Sequence, residues 1–214
     1  MKRFYDRADA GRALARALEE YRGRPDIIVL GLPRGGVPVA AEVASALGAP
    51  LDVFVVRKLG APGHEEFAMG AIASGGVRVM NRQAVDMLAI PDEVIERVVE
   101  REQRELERRE RQYRGNRTAP QVAGRIAILV DDGLATGSSM RAAVAALRNL
   151  HPARVVVAVP VGASETCRSL QTEADEVVCA MAPEDFQAVG LWYENFGQTS
   201  DEEVHEALER AAAR

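Results

Sequence analysis

A surplus of basic residues is missing from this chain. Its 27 Lys and Arg face 32 Asp and Glu, a net charge of -5, and the sequence pI is about 5.4. Tight, non-specific nucleic-acid binding calls for the opposite balance, so nucleic acid is disfavoured as a partner. Cysteine and histidine are scarce too, with 2 and 3 copies. Neither the spacing nor the company of Cys167 and Cys179 suggests a metal site or a disulfide framework. The expectation is two reduced thiols in a cytoplasmic protein. The opening residues, "MKRFYDRADAGRALARALEEYRG", lack the apolar stretch of a secretory signal. No run approaches the length of a membrane span, so no membrane partner is expected. Internal repeats and low-complexity linkers are also absent.

What is present is enough for a core. Apolar residues make up 47% of 214 positions, which suits one domain with a modest extra lobe. Five short runs, residues 27–30, 51–56, 126–130, 155–160 and 177–179, are rich in Val and Ile without polar alternation. That pattern fits parallel strands covered on both faces. Helical patterns lie between or beside them at 10–21, 37–47, 138–150 and 163–172. Strand and helix in alternation predict an α/β fold, a parallel sheet flanked by helices.

Two segments break the rhythm. Residues 91–114, "PDEVIERVVEREQRELERRERQYR", carry an apolar stripe of Val94, Ile95, Val98 and Val99, then almost unbroken charge. Glu100–Arg104, Glu105–Arg109, Glu107–Arg111 and Glu110–Arg114 are i,i+4 pairs in the favourable order. The interleaved glutamates argue for a solvated, ion-paired helix over a nucleic-acid helix. Near the C-terminus, Trp192, Tyr193 and Phe196 cluster, and Thr199 or Ser200 can cap a last helix with Glu202 or Glu203.

The chemistry concentrates in "ILVDDGLATGSSM", residues 128–140. Two acids stand at the carboxyl end of an apolar strand, where open parallel sheets bind ligands. Ala135, Thr136, Gly137, Ser138 and Ser139 then form a loop entering a helix N-terminus, whose free N–H groups and dipole favour a phosphate. Beside a phosphate the acids would repel it. They make sense as acceptors for vicinal hydroxyls, or as outer ligands of Mg²⁺. A ribose 5-phosphate offers both. A P-loop lysine and a G-x-G-x-x-G fingerprint are both missing here.

An apolar strand, two acids, three residues, then Thr-Gly and a hydroxyl resembles the phosphoribosyl pyrophosphate motif of type I phosphoribosyltransferases. The resemblance implies that fold, with a small hood over the strand ends. It implies that Asp131 and Asp132 hold the ribose hydroxyls while residues 135–139 bind the 5-phosphate. "GLPRGGVPVA", residues 31–40, resembles the family's pyrophosphate loop, with Arg34, Gly35 and Gly36 offering a guanidinium and backbone amides. "VRKLGAPGHEEFAMGAIASGG", residues 56–76, resembles its mobile catalytic loop. Within it, Arg57 and Lys58 are cations for the substrate, and His64, Glu65 and Glu66 are candidate acids or bases. "FYDRADAGRALA", residues 4–15, together with the Gly-rich loop is similar to a group of bacterial predicted phosphoribosyltransferases.

What this implies is an enzyme displacing pyrophosphate from C1 of the ribose by a nitrogenous base, with Mg²⁺ as cofactor. Arg34, Lys58, Asp131 and Asp132 are the expected catalytic set, and Asp131 and Asp132 the indirect metal partners. The setting is nucleotide salvage or synthesis. The residue before Thr-Gly is Ala135, where 6-oxopurine enzymes carry a proton-handling aspartate, so the acceptor is steered away from 6-oxopurines. Trp192, Tyr193 and Phe196 are the candidates for stacking on the base, and packing of the last helix is the competing role. The expected organisation is a single domain, 1–214, with the charged helix at about 91–114 and a C-terminal hood at about 184–214; a homodimer is left open. The alternative function is a non-catalytic sensor of phosphoribosyl pyrophosphate or a nucleotide, docking a partner on the charged helix. A receiver-like acidic pocket ranks last, because it leaves "ATGSS" unexplained.

Overall fold

The computed structural model describes residues 3–119 and 121–213, with the side chains of residues 64–67 outside that description. Its centre is a parallel sheet of β1 (Ile27–Gly31), β2 (Leu51–Val53), β6 (Ile126–Val130), β7 (Arg154–Val161) and β8 (Glu176–Met181). The strand order is β2-β1-β6-β7-β8. Every pairing in it is parallel.

The missing polar alternation now has its cause. Ile28, Leu30, Ala127, Leu129, Val155 and Val157 face one layer, formed by α5 (Ser138–Arg148) and α6 (Ser164–Leu170). Ile27, Val29, Ile126, Ile128, Val156 and Ala158 face the other, formed by α1 (Arg7–Ala17) and α2 (Gly36–Leu47). Both faces are covered, so both need apolar side chains. Each fully buried Val, Leu or Ile adds about 1.5–3 kcal/mol.

Three expectations change. The run at 51–56 is not one strand: β2 ends at Val53, and Val56 opens a separate antiparallel sheet. That sheet, β3 (Val56–Ala61), β4 (His64–Ala73) and β5 (Val77–Met80), occupies the segment expected as a long loop. Its glycines are not signs of irregular chain: Gly63, Gly75 and Gly76 make the turns, at φ of 75°, 83° and 74°, while Gly60 and Gly70 lie within β3 and β4. Cys167 and Cys179 are not free thiols but a disulfide. The helix α6 lies beside β8, so a separation of 12 residues in sequence becomes a contact in space.

After α3 (Arg82–Met87), the charged helix α4 (Asp92–Arg114) is present over the predicted length. It is more than a solvated rod. Leu106 and Tyr113 are buried with Val204, Ala207 and Leu208 of α7 (Asp201–Ala212). Arg114 is buried and bonds Asp52 at 2.9 Å and Glu110 at 2.6 Å. Ser200 and Glu203 cap α7 reciprocally. No helix among the described residues is long and apolar enough to cross a membrane.

Candidate active site

Strand order places the site. From β1 the chain winds outward to β2, and from β6 it winds the other way through β7 to β8. The β1/β6 boundary is therefore the switch point, where the loops leaving two neighbouring strands part and open a crevice. The loop after β1 carries Arg34, Gly35 and Gly36; the loop after β6 carries Asp131 to Gly137. Leu32 N–H donates to the Val130 carbonyl at 2.8 Å, which fastens the two loops at their roots.

The contact between them is close. A Cβ on Gly35 would fall 2.0 Å from Asp132 Oδ2, and one on Gly36 would fall 2.6 Å from the Val130 carbonyl oxygen. Glycine is required here for space. The Pro33–Arg34 peptide is cis, and the Arg34 guanidinium lies 3.8 Å from Asp201 at the start of α7.

The second loop is held from behind. Leu134 N–H donates to Val161, and the Leu134 carbonyl accepts from Ala163 N–H, at 2.9 and 2.8 Å. Thr166 Oγ1 donates to the Ala135 carbonyl at 2.7 Å. Gly137 adopts φ of 74° as the N-cap of α5, a conformation that suits glycine. Ala135, Thr136, Ser138 and Ser139 are exposed around it. The first-turn N–H groups of α5 thus open to solvent beside hydroxyls, an arrangement that favours an anion.

The acids sit in a different environment. Asp131 Oδ1 accepts from Asp132 N–H at 2.8 Å. Burial, and then the neighbouring Asp132 charge, pushes the Asp131 carboxyl well above the usual carboxylate range. Burial raises Asp132 as well, while Arg7 opposes the rise. A cation or a developing positive charge at this place relieves the repulsion. Two hard carboxylates fit Mg²⁺, but no group of three His, Cys, Asp or Glu converges among the described residues. The fit is to a cation that brings most of its oxygen ligands with the substrate.

Arg7 was missed by sequence reasoning. It stands at the start of α1, after the Asp6 N-cap. Its Nε and Nη2 reach Asp132 Oδ2 at 2.9 and 2.8 Å. The available signal was the Asp-Arg pair in "FYDRADAGRALA"; the partner, 125 residues away, gave none.

Lys58 lies in the first half of β3 and places its Nζ 3.3 Å from Ser138 Oγ, bringing the small sheet to the loop that enters α5. Its neighbour Arg57 points elsewhere. It pairs with buried Glu102 of α4, so it is occupied away from the crevice. His64, Glu65 and Glu66 form the start of β4, and their side chains lie outside the described residues.

The aromatic trio divides. Trp192 is 6% exposed and packs with Phe4, Ala10 and Val161, leaving no open face for a base. Tyr193 is buried, and its hydroxyl donates to the Asp132 carbonyl at 2.5 Å. Phe196 alone remains partly exposed, with Arg7 Cζ 4.1 Å from its ring centroid.

Two loops meeting at the switch point of a doubly wound parallel sheet define the class of α/β proteins that bind ligands at their strand ends. Within that class, the family model for the phosphoribosyl transferase domain matches residues 2–191. The chain belongs to the phosphoribosyl transferase family. It is 48% identical over 211 residues to "Putative phosphoribosyl transferase Rv0571c" of Mycobacterium tuberculosis, a match covering 99% of this chain and 47% of that protein. The chain thus spans about half the length of the curated relatives it matches. Among solved structures it is similar to TT1426 from Thermus thermophilus, with a TM-score of 0.87 and 46% identity over 97% of this chain and 98% of that one. A hypothetical protein from Neisseria gonorrhoeae with bound ppGpp shares the fold at a TM-score of 0.51 and 14% identity, covering 100% of this chain and 98% of its own.

Proposed function

We propose that this chain transfers ribose 5-phosphate from phosphoribosyl pyrophosphate to a nitrogenous base and releases pyrophosphate, in nucleotide salvage or synthesis. One observation carries the reading: the acid pair Asp131–Asp132 lies directly against Gly35–Gly36 at the β1/β6 crevice. A sugar held by the acids therefore has the Gly-rich loop on one side and residues 135–139 on the other, one for each of the substrate's phosphate groups.

In this reading Asp131 and Asp132 accept hydrogen bonds from the ribose hydroxyls, and their charge supports the oxocarbenium-like cation that forms as C1 loses its leaving group. Thr136, Ser138, Ser139 and the first N–H groups of α5 bind the 5-phosphate. The pyrophosphate is held by the Gly35 amide, with Arg34 and Lys58 as cations; the Gly36 N–H, expected to join them, already donates to the Leu32 carbonyl at 3.0 Å, so Gly36 serves by leaving space. Arg34 must swing from Asp201 to do so. Mg²⁺, when bound, supplies positive charge that stabilises the departing pyrophosphate. Ala135 cannot exchange a proton with a purine ring, which supports an acceptor other than a 6-oxopurine.

The test is pyrophosphate release with Mg²⁺, phosphoribosyl pyrophosphate and each common base in turn. Turnover with one base supports transfer. Binding of phosphoribosyl pyrophosphate without turnover for any base makes the chain a sensor, and absence of binding removes the reading altogether.

A further inference from the structure

Asp131 and Asp132 are two carboxylates on adjacent residues at a recessed crevice, and the groups around them decide which oxygens face a ligand. The charged or titratable groups facing it come from few elements. Helix α1 contributes Arg7, and the C-terminal segment contributes Tyr193. The loop entering α2 presents only the uncharged Gly35 and Gly36.

Arg7 is held to its task on three sides. Nε and Nη2 both contact Asp132 Oδ2, at 2.9 and 2.8 Å, with side chains only 14% and 16% exposed. Nη1 donates to the Gly197 carbonyl at 2.6 Å. The guanidinium plane rests on Phe196, 4.1 Å from the ring centroid, an attraction that a partly desolvated cation strengthens. A Cβ on Gly35 would come 3.2 Å from Arg7 Nε, so the Gly-rich loop closes the remaining side. Arg7 thereby joins α1, the C-terminal segment and both ligand loops at one carboxylate oxygen. Asp132 Oδ1 has no protein partner among the described residues and is the oxygen left to a ligand.

We propose that Arg7 is a positioning residue for the acid pair: it pins one oxygen of Asp132 and leaves the other oxygen to a ribose hydroxyl. The proposal rests on the phosphoribosyl transfer reading for its ligand. Arg7 touches no reacting atom. Its effect is on the position of the carboxylate that holds the sugar.

Arg7 and Asp132 form one contact, so their substitutions should not add. The experiment compares wild type, Arg7→Gln, Arg7→Lys, Asp132→Asn and the double variant Arg7→Gln, Asp132→Asn at one pH. Titration calorimetry with Mg²⁺ uses phosphoribosyl pyrophosphate and, separately, pyrophosphate, which has no ribose hydroxyl. Thermal melts of the unliganded proteins accompany it. Arg7→Gln is expected to weaken phosphoribosyl pyrophosphate binding about tenfold, to leave pyrophosphate binding unchanged, and to add little on the Asp132→Asn background. Arg7→Lys, which keeps a donor at this place, restores part of the affinity. A loss equal for both ligands, following a lowered melting temperature, means Arg7 is only structural and overturns the proposal. So does a loss undiminished on the Asp132→Asn background. If wild type binds neither ligand, the ligand reading falls and takes the ribose role with it, while the melts of the four-protein cycle still show whether Arg7 holds Asp132.

Discussion

Gly35→Ala separates the geometry of the site from the stability of the fold. Gly35 has φ of -60° and ψ of -32°, which alanine adopts freely. The substitution therefore tests space alone. Its Cβ would lie 2.0 Å from Asp132 Oδ2 and 2.8 Å from Cγ, where contacts under 3.0 Å essentially never occur. The carboxylate or the loop must give way by about 1 Å. Overpacking of this kind costs about 1–3 kcal/mol when it is not relieved. Here the neighbour is a side chain at the edge of a crevice, so the cost in stability falls at the low end. The cost in function does not, because a displacement of about 1 Å at a reacting centre can remove 10²-fold in rate. The expected outcome is a melting temperature within a few degrees of wild type, with pyrophosphate release lowered about a hundredfold. Affinity for phosphoribosyl pyrophosphate, measured by calorimetry, should fall with it. Wild-type turnover in Gly35→Ala would refute the argument that Asp132 and the Gly-rich loop act as one site.

Three further outcomes follow from contacts described above. Trp192→Ala removes a 6% exposed core residue, so it should cost about 3–5 kcal/mol in denaturant melts while leaving the order of preference among bases unchanged. Arg57→Ala leaves buried Glu102 with Arg101, 3.0 Å away, so stability should fall by about 1–2 kcal/mol; affinity for phosphoribosyl pyrophosphate should hold. Cys167→Ser opens a cross-link spanning 12 residues, worth about 2–3 kcal/mol by loop-closure entropy, read as a lower melting temperature. Wild type unfolded without reductant should show no free thiol to an alkylating reagent, and two after reduction.

The parallel sheet was legible because its signal is local. A strand buried on both faces is a run of Val and Ile; four such runs returned as strands of one sheet, and the fifth, at 51–56, gave that sheet only β2 before passing into the antiparallel sheet. The acid pair and the Thr-Gly loop were legible for a similar reason, since one strand end supplies both. Residues 56–76 were not, because glycine marks turns and irregular chain alike, and only the positive φ of Gly63, Gly75 and Gly76 tells them apart. The aromatic cluster misled because neighbours in sequence point different ways: Trp192 inward, Phe196 toward Arg7. Arg7 and the Cys167–Cys179 bond depend on which elements the fold lays side by side. The sequence carries no periodicity for that.

The central claim is that Asp131 and Asp132 hold the sugar of phosphoribosyl pyrophosphate. Titration calorimetry of this ligand with Mg²⁺ into wild type and into the double variant Asp131→Asn, Asp132→Asn tests it most directly. Losing two charged acceptors at about 1.5–3 kcal/mol each predicts binding weakened by about a hundredfold or more. Equal affinity for the two proteins would contradict the claim.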